Sequence, residues 1–239
     1  MLLYIIRHGD PDYASDSLTE RGRLQAEVVG KRIYDSGINK IYSSPMGRAK
    51  ETAAPACRLL GLECSIEPWT HEIGDERMTA FPDGKLKSLS LVPNYLYREN
   101  GGLDVKYGDC FELPGLNDTK MKEAVKYIEE NGKDFLERLG YKEENGLYRI
   151  LRKNEDKVAL FCHSAFARAW ISVLLHIPVN MMWSDFGYTH TGVTILDFHN
   201  FESGFTSPRC LCYSDMSHLY AAGLDTCYDT PWDNINKEV

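Results

Sequence analysis

The apolar run Leu2-Leu3-Tyr4-Ile5-Ile6 stops abruptly at Arg7-His8-Gly9, and the same device recurs along the chain. A short apolar run bounded by Gly and Pro reads as a strand buried on both faces. Residues 38–45, INKIYSSP, form a second run that ends in serines, and LECSIEP forms a third. Residues 156–162, DKVALFC, form a fourth that runs straight into His163. Helical patterns lie between them. Thr19 is the expected N-cap of a helix over residues 18–37, with Leu24, Val28 and Ile33 on one face and Gly37 as its stop. Pro45 suits the start of a second helix that carries Arg48 in its first turn. Pro55 inside that helix is expected to kink or split it. A further helix, SAFARAWISVLLH, begins near Ser164. Strands alternating with helices imply βαβ units, and so an α/β fold with a doubly wound, mostly parallel sheet flanked by helices.

Parallel strands present their carboxyl ends at one edge, where ligands sit in open α/β sheets. The groups just past the four runs are Arg7-His8, Arg48, the pair His71-Glu72, and His163. Packing alone explains such a collection poorly, because an unpaired buried cation is costly. Arginine offers a planar fork that matches phosphate. The helix starting near Ser164 adds backbone donors and the positive end of its dipole. The pattern describes a phosphoryl site rather than a metal site, since guanidinium groups stand beside the histidines and no CxxC pair occurs. No metal and no cofactor are expected.

A chain of 239 residues with 43% hydrophobic content suits one α/β domain, residues 1–239, with a sizeable insertion. The net charge of −8 argues against a nucleic-acid surface. No apolar run approaches membrane-spanning length, and the N-terminal run is too short for a signal-peptide core. Seven cysteines without framework spacing fit a reduced, cytoplasmic chain. Residues 77–155 lack sustained periodicity until a helix in LNDTKMKEAVKYIEENGKDFLERLG, expected to break near Gly132. They read as a mixed helix-and-loop insertion, or lid, over the carboxyl-terminal sheet edge, and as the place where specificity resides. A hairpin is expected around Asn145-Gly146. VTILDFHNFESGFTSPRCLCYSD is expected to supply two antiparallel strands at a sheet edge.

The segments RHG, LTERGRLQA and SSPMGRAKETA, together with the late strand ending in His163, resemble the histidine phosphatase superfamily, the phosphoglycerate mutase-like proteins. The resemblance covers about the first seventy-five residues and then residues 156–176. It implies that His8 is the nucleophile that becomes phosphorylated. It implies Arg7 and Arg48 as phosphate clamps, His163 as a further phosphate and transition-state contact, and a carboxylate acid after the third strand, matching Glu72. The backbone N–H of Ser164 joins the substrate contacts. The implied activity is hydrolysis of phosphate monoesters, with a small phosphorylated substrate or inorganic phosphate as partner. A phosphoglycerate mutase-type transfer would use the same site, and a non-catalytic phosphoester-binding module would keep the same scaffold.

Two departures stand out. Many members carry Asn where this chain has Ala14, with Ser15 and Ser17 as candidate substitutes. The second histidine is commonly followed by Gly, and here by Ser164. His71, Asp75 and Glu76 are rivals of Glu72 for the acid. Cys162 and Arg168 have the C-x5-R spacing of cysteine-dependent phosphatases, but that reading leaves Arg7, His8 and Arg48 unexplained. His176, His199 and His218 are read as surface or packed residues, and Tyr13, Trp69 and Phe81 as packing. His190 and Thr191 are weighed as pocket-lining, the minority reading beside ordinary packing.

Overall fold

Strand β1 (Leu2–Arg7) shows why the chain folds as it does: Leu3 and Ile5 face one apolar cluster, while Tyr4 and Ile6 face another. A strand with both faces apolar needs cover on both sides. The computed structural model describes residues 1–80, 86–88, 98, 109–113, 116–117 and 119–226. After β1 come a ribbon of β2 (Pro11–Asp12) and β3 (Ser17–Leu18), then α1 (Glu20–Asp35), β4 (Lys40–Ser43), α2 (Gly47–Leu60) and β5 (Cys64–Ile66). A ribbon of β6 (Met78–Ala80) and β7 (Leu86–Ser88) follows, then α3 (Met121–Arg138), the hairpin β8 (Tyr141–Glu144) and β9 (Leu147–Ile150), β10 (Lys157–Cys162) and α4 (Ser164–Leu175). The remaining elements are α5 (Val179–Ser184), β11 (Val193–Asp197), β12 (Phe205–Thr206), β13 (Arg209–Asp215) and α6 (Ser217–Ala221).

The main sheet has the order β13-β11-β1-β10-β4-β5. Strands β1, β10, β4 and β5 pair in parallel, as the alternation of strand and helix requires. Strands β11 and β13 add an antiparallel edge, as expected from their sequence. On one face, Val29 and Ile33 of α1 and Ala53 and Ala56 of α2 cover Tyr4, Ile6, Ala159 and Phe161. On the other, α3 and α4 cover Leu3, Ile5, Val158 and Leu160 through Phe135, Phe166 and Trp170. The β8–β9 hairpin turns at Asn145 (φ 54°) and Gly146 (φ 82°), both left-handed as a two-residue turn of this kind demands. Among the described residues no helix is long and apolar enough to cross a membrane.

Three expectations are corrected. The buried stripe of α1 is Gly22, Ala26, Val29 and Ile33, whereas Leu24 is 54% exposed. Close approach sets that face: a Cβ on Gly22 would lie 2.1 Å from the Asp10 carbonyl oxygen, so the glycine side must face the loop after β1. Pro55 does not split α2, which runs unbroken from Gly47 to Leu60. Nor does α3 break at Gly132, where the missing side chain admits the Trp170 indole. Phe81 and most of the expected specificity stretch between residues 81 and 118 lie outside the described residues.

Candidate active site

The carboxyl ends of β1, β4 and β10 converge on one buried polar cluster. His8 follows β1 and is 1% exposed; His163 follows β10 and is 0% exposed. Their ring centroids lie 5.2 Å apart. The Nδ1 of His8 lies 2.7 Å from the Gly9 carbonyl oxygen. A carbonyl only accepts, so Nδ1 carries the proton and donates it, and Nε2 keeps its lone pair. Burial pushes the His8 imidazole down to about 3, and the neighbouring Arg7 and Arg48 charges push the same way. His8 is therefore a neutral base with a defined tautomer.

His163 is lowered well below the usual imidazole range by burial, then by His8, Arg48 and Arg7. Its Nε2 sits 2.7 Å from Ser44 Oγ, at the end of β4. Its Nδ1 is buried and has no hydrogen-bond partner among the described residues, as is true of Arg48 Nε. Two such orphans in one cluster of cationic and imidazole groups are what an anion would satisfy. Arg7 is anchored by a hydrogen bond from Nη1 to the Tyr188 carbonyl oxygen, 2.5 Å away. Arg48, in the first turn of α2, donates through Nη1 to Asp16 Oδ1 at 2.5 Å. Asp16 also accepts from the Gly47 N–H at 2.6 Å. Burial opposes ionisation of Asp16, but the Gly47 and Arg48 hydrogen bonds overcome it and hold the carboxyl below its usual range.

Glu72 reaches the same region from the segment after β5. Its carboxylate accepts from the N–H groups of Phe166 (2.9 Å), Ala165 (3.3 Å) and Ile73 (3.0 Å), so it caps the first turn of α4 just beyond His163 and Ser164. Its rivals are placed differently. His71 and Asp75 are exposed, and Glu76 folds back on the Gly74 N–H at 3.0 Å. Ser164 is the first residue of α4, with His163 at its N-cap.

Asp16 and Thr52 join the site without having been singled out from the sequence. Asp16, with φ of 48°, braces Arg48 from the loop that holds Ala14. Ser15 and Ser17, the candidate substitutes there, bond to each other at 2.7 Å, and Ser15 also to Asp12. Thr52 Oγ1 accepts from the Gly9 N–H at 3.0 Å and so ties α2 to the loop after β1. His190 is half-buried, with its ring centroid 5.6 Å from that of His8 and its Nδ1 3.8 Å from Asp10 Oδ1. Ser44 is visible in the sequence only as half of the doubled serine at the end of β4, and neither Asp16 nor Thr52 carries a local signal. The C-x5-R reading finds no support in the geometry. Cys162 is buried with its thiol pushed up by burial and the Glu72 charge, and Arg168 stacks 4.7 Å from the Trp183 ring.

Residues 3–80 match the model of the histidine phosphatase superfamily (branch 1), the family the sequence motifs resemble. The chain is 34% identical over 97 residues to a probable phosphoglycerate mutase, GpmB, of Erwinia tasmaniensis, covering 37% of this chain and 44% of that one. It is 35% identical over 68 residues to a probable phosphatase of Schizosaccharomyces pombe, covering 25% of this chain and 32% of that one. These matches thus span less than half of each relative. The fold is similar over a greater length to a phosphoserine phosphatase of Entamoeba histolytica crystallised with 3-phosphoglyceric acid, with a TM-score of 0.59, 21% identity, and coverage of 91% of this chain and 98% of that one. A mycobacterial glucosyl-3-phosphoglycerate phosphatase in complex with inorganic phosphate gives a TM-score of 0.58 at 19% identity, covering 91% of this chain and 98% of that one.

Proposed function

We propose that this chain hydrolyses phosphate monoesters through a phosphohistidine on His8. The observation that carries the reading is the state of His8: buried, neutral, and fixed by Gly9 with its Nε2 lone pair unprotonated, among Arg7, Arg48 and His163. Such an imidazole attacks phosphorus as Nε2 forms the P–N bond and the ester oxygen leaves with the bonding pair. Arg7, Arg48, His163 and the Ser164 N–H spread over the equatorial oxygens, where charge gathers in the transition state. Glu72 protonates the departing oxygen, then takes a proton from the water that attacks the phosphohistidine. The cationic side chains do the charge stabilisation that a metal would otherwise supply, so no metal is required.

Rapid-quench reaction with labelled substrate should leave acid-labile phosphate on His8, and His8→Ala should abolish turnover. Wild-type turnover by His8→Ala would refute the reading. Exhaustive chelation should leave the rate unchanged while vanadate, a mimic of the phosphoryl transition state, inhibits. A large loss on chelation restored by one divalent ion would count against metal independence. The relationship to probable phosphoglycerate mutases favours a second outcome: transfer of phosphate between hydroxyls of a sugar acid instead of to water. A panel of cellular phosphomonoesters, assayed for both released phosphate and positional isomers, separates the two. The reaction suits a soluble chain of the cytoplasm, with a small phosphorylated molecule as its partner.

A further inference from the structure

Thr191 is a buried β-branched residue held at φ 55°, in the left-handed region that such residues avoid. Strained backbone persists only where its surroundings over-determine it, and it clusters at working sites. Here the conformation has a visible consequence. The Thr191 N–H donates to the His8 carbonyl oxygen at 3.2 Å, and the next residue, Gly192, accepts from the Arg7 N–H at 3.3 Å. The loop before β11 therefore grips the backbone of the Arg7-His8 pair.

The grip is held from behind by the segment after β13. Arg32 of α1 lies 2.6 Å from the Asp215 carboxylate and turns the same Nη1 to His218 Nδ1 at 3.1 Å. A guanidinium only donates, so His218 Nδ1 accepts and the proton sits on Nε2. Nε2 lies 3.1 Å from Thr191 Oγ1 and therefore donates to it. The Thr191 hydroxyl is then left to donate to the His190 carbonyl oxygen at 2.8 Å. The side-chain bonds run from Arg32 through His218 and the Thr191 hydroxyl to the His190 carbonyl oxygen, and the Thr191 N–H makes the separate bond to the His8 carbonyl oxygen. Burial, then the Arg32 charge, pushes His218 down to about 4 against the pull of Asp215, which keeps the neutral form that the chain needs.

We infer that His218 is a positioning residue for the proposed nucleophile: it locks Thr191 in its left-handed conformation, and Thr191 in turn fixes the backbone of His8. This inference rests on the phosphohistidine reading for its kinetic consequence, but not for the hydrogen-bonded bridge itself.

The test compares the wild type with His218→Gln, His218→Leu and Thr191→Val, using p-nitrophenyl phosphate. Gln can accept from Arg32 through Oε1 and donate to Thr191 through Nε2; Leu can do neither. A displacement of about 1 Å at a reacting group costs on the order of 10²-fold. His218→Leu should therefore slow burst-phase phosphorylation of His8 by about 10–10²-fold with a small change in KM, and Thr191→Val should behave alike. His218→Gln should recover most of the rate. Amide hydrogen exchange at Thr191 reads the bridge directly, whatever chemistry His8 performs. It should be slow in the wild type and His218→Gln, and fast in His218→Leu. Thr191→Val keeps the readout available if His218→Leu does not fold. Wild-type burst rates in both Leu and Val variants, a loss that Gln does not rescue, or unchanged exchange in folded His218→Leu would each overturn the inference. Absence of a phosphohistidine in the wild type would instead refute the catalytic reading, and the exchange measurement alone would then decide whether the bridge is real.

Discussion

Glu72 has two claims on its carboxyl group. It accepts three backbone N–H groups, two of them from the first turn of α4, and in the proposed reaction it supplies the leaving oxygen with a proton. Glu72→Gln separates the roles, because an amide keeps one acceptor oxygen but has no carboxylic proton. An alkoxide needs that proton in the transition state, whereas nitrophenolate is already a stable anion. General acid–base catalysis contributes about 10²–10⁴-fold. Glu72→Gln should slow the burst phase on alkyl phosphates by about that factor and affect p-nitrophenyl phosphate far less. Equal losses on both substrates would assign Glu72 to helix capping and return the acid to His71, Asp75 or Glu76. At this scale the candidate site was largely legible beforehand. Arg7, His8 and His163 sit at or directly after strand ends, and Arg48 and Glu72 follow β4 and β5 within the next helix or turn, so apolar runs announce their place. Asp16 was not legible, because its role comes from a left-handed turn that brings it to Arg48, 32 residues away.

Among the elements, α3 shows how packing overrides propensity. Gly132 in a helix interior costs about 1 kcal/mol relative to Ala, which is why a break was expected there. The helix continues because Phe135, Leu136 and Ile128 bury its face beneath α4, and because Trp170 occupies the space above Gly132. A Cβ at residue 132 would lie 2.5 Å from Trp170 Nε1. Overpacking costs about 1–3 kcal/mol and here competes with a propensity gain of about 1 kcal/mol. Gly132→Ala should therefore lower the melting temperature, despite improving the helix on paper. A higher melting temperature would show that the indole can shift aside. Pro55 in α2 makes the same point: Ala53 and Ala56 are buried against the sheet, and that contact outweighs one lost backbone hydrogen bond.

For the whole molecule, the site carries a stability cost that acid reveals. His8, His163, His190 and His218 are all shifted down by burial, reinforced by neighbouring positive charge. Above the ordinary histidine value of about 6.5 these groups are neutral in both folded and unfolded chains, and stability does not depend on them. Below it the unfolded chain takes up protons that the folded chain refuses, so stability falls as pH falls, by about 1.4 kcal/mol per pH unit for each histidine fully titrating. Between pH 6.5 and 5 the denaturation midpoint should drop steeply, and His190→Gln should flatten the slope by about one proton's worth. A flat profile over that window would show that these histidines are not buried as neutral groups.

The apolar runs alone identify the four parallel strands and the sheet edge at which the polar groups gather. Those runs and the residues touching their ends are local properties of the chain. Tertiary structure alone decided who holds those residues. His163 meets Ser44 across 119 positions, and Arg32 meets His218 across 186. No local pattern encodes such contacts. The first depends on the parallel pairing of β10 with β4, and the second on the antiparallel edge strands, which bring the loop before β11 and the segment after β13 to the carboxyl end of β1. For the same reason nothing beside His218 in the sequence announces its bond to Thr191, whose N–H reaches the His8 carbonyl oxygen.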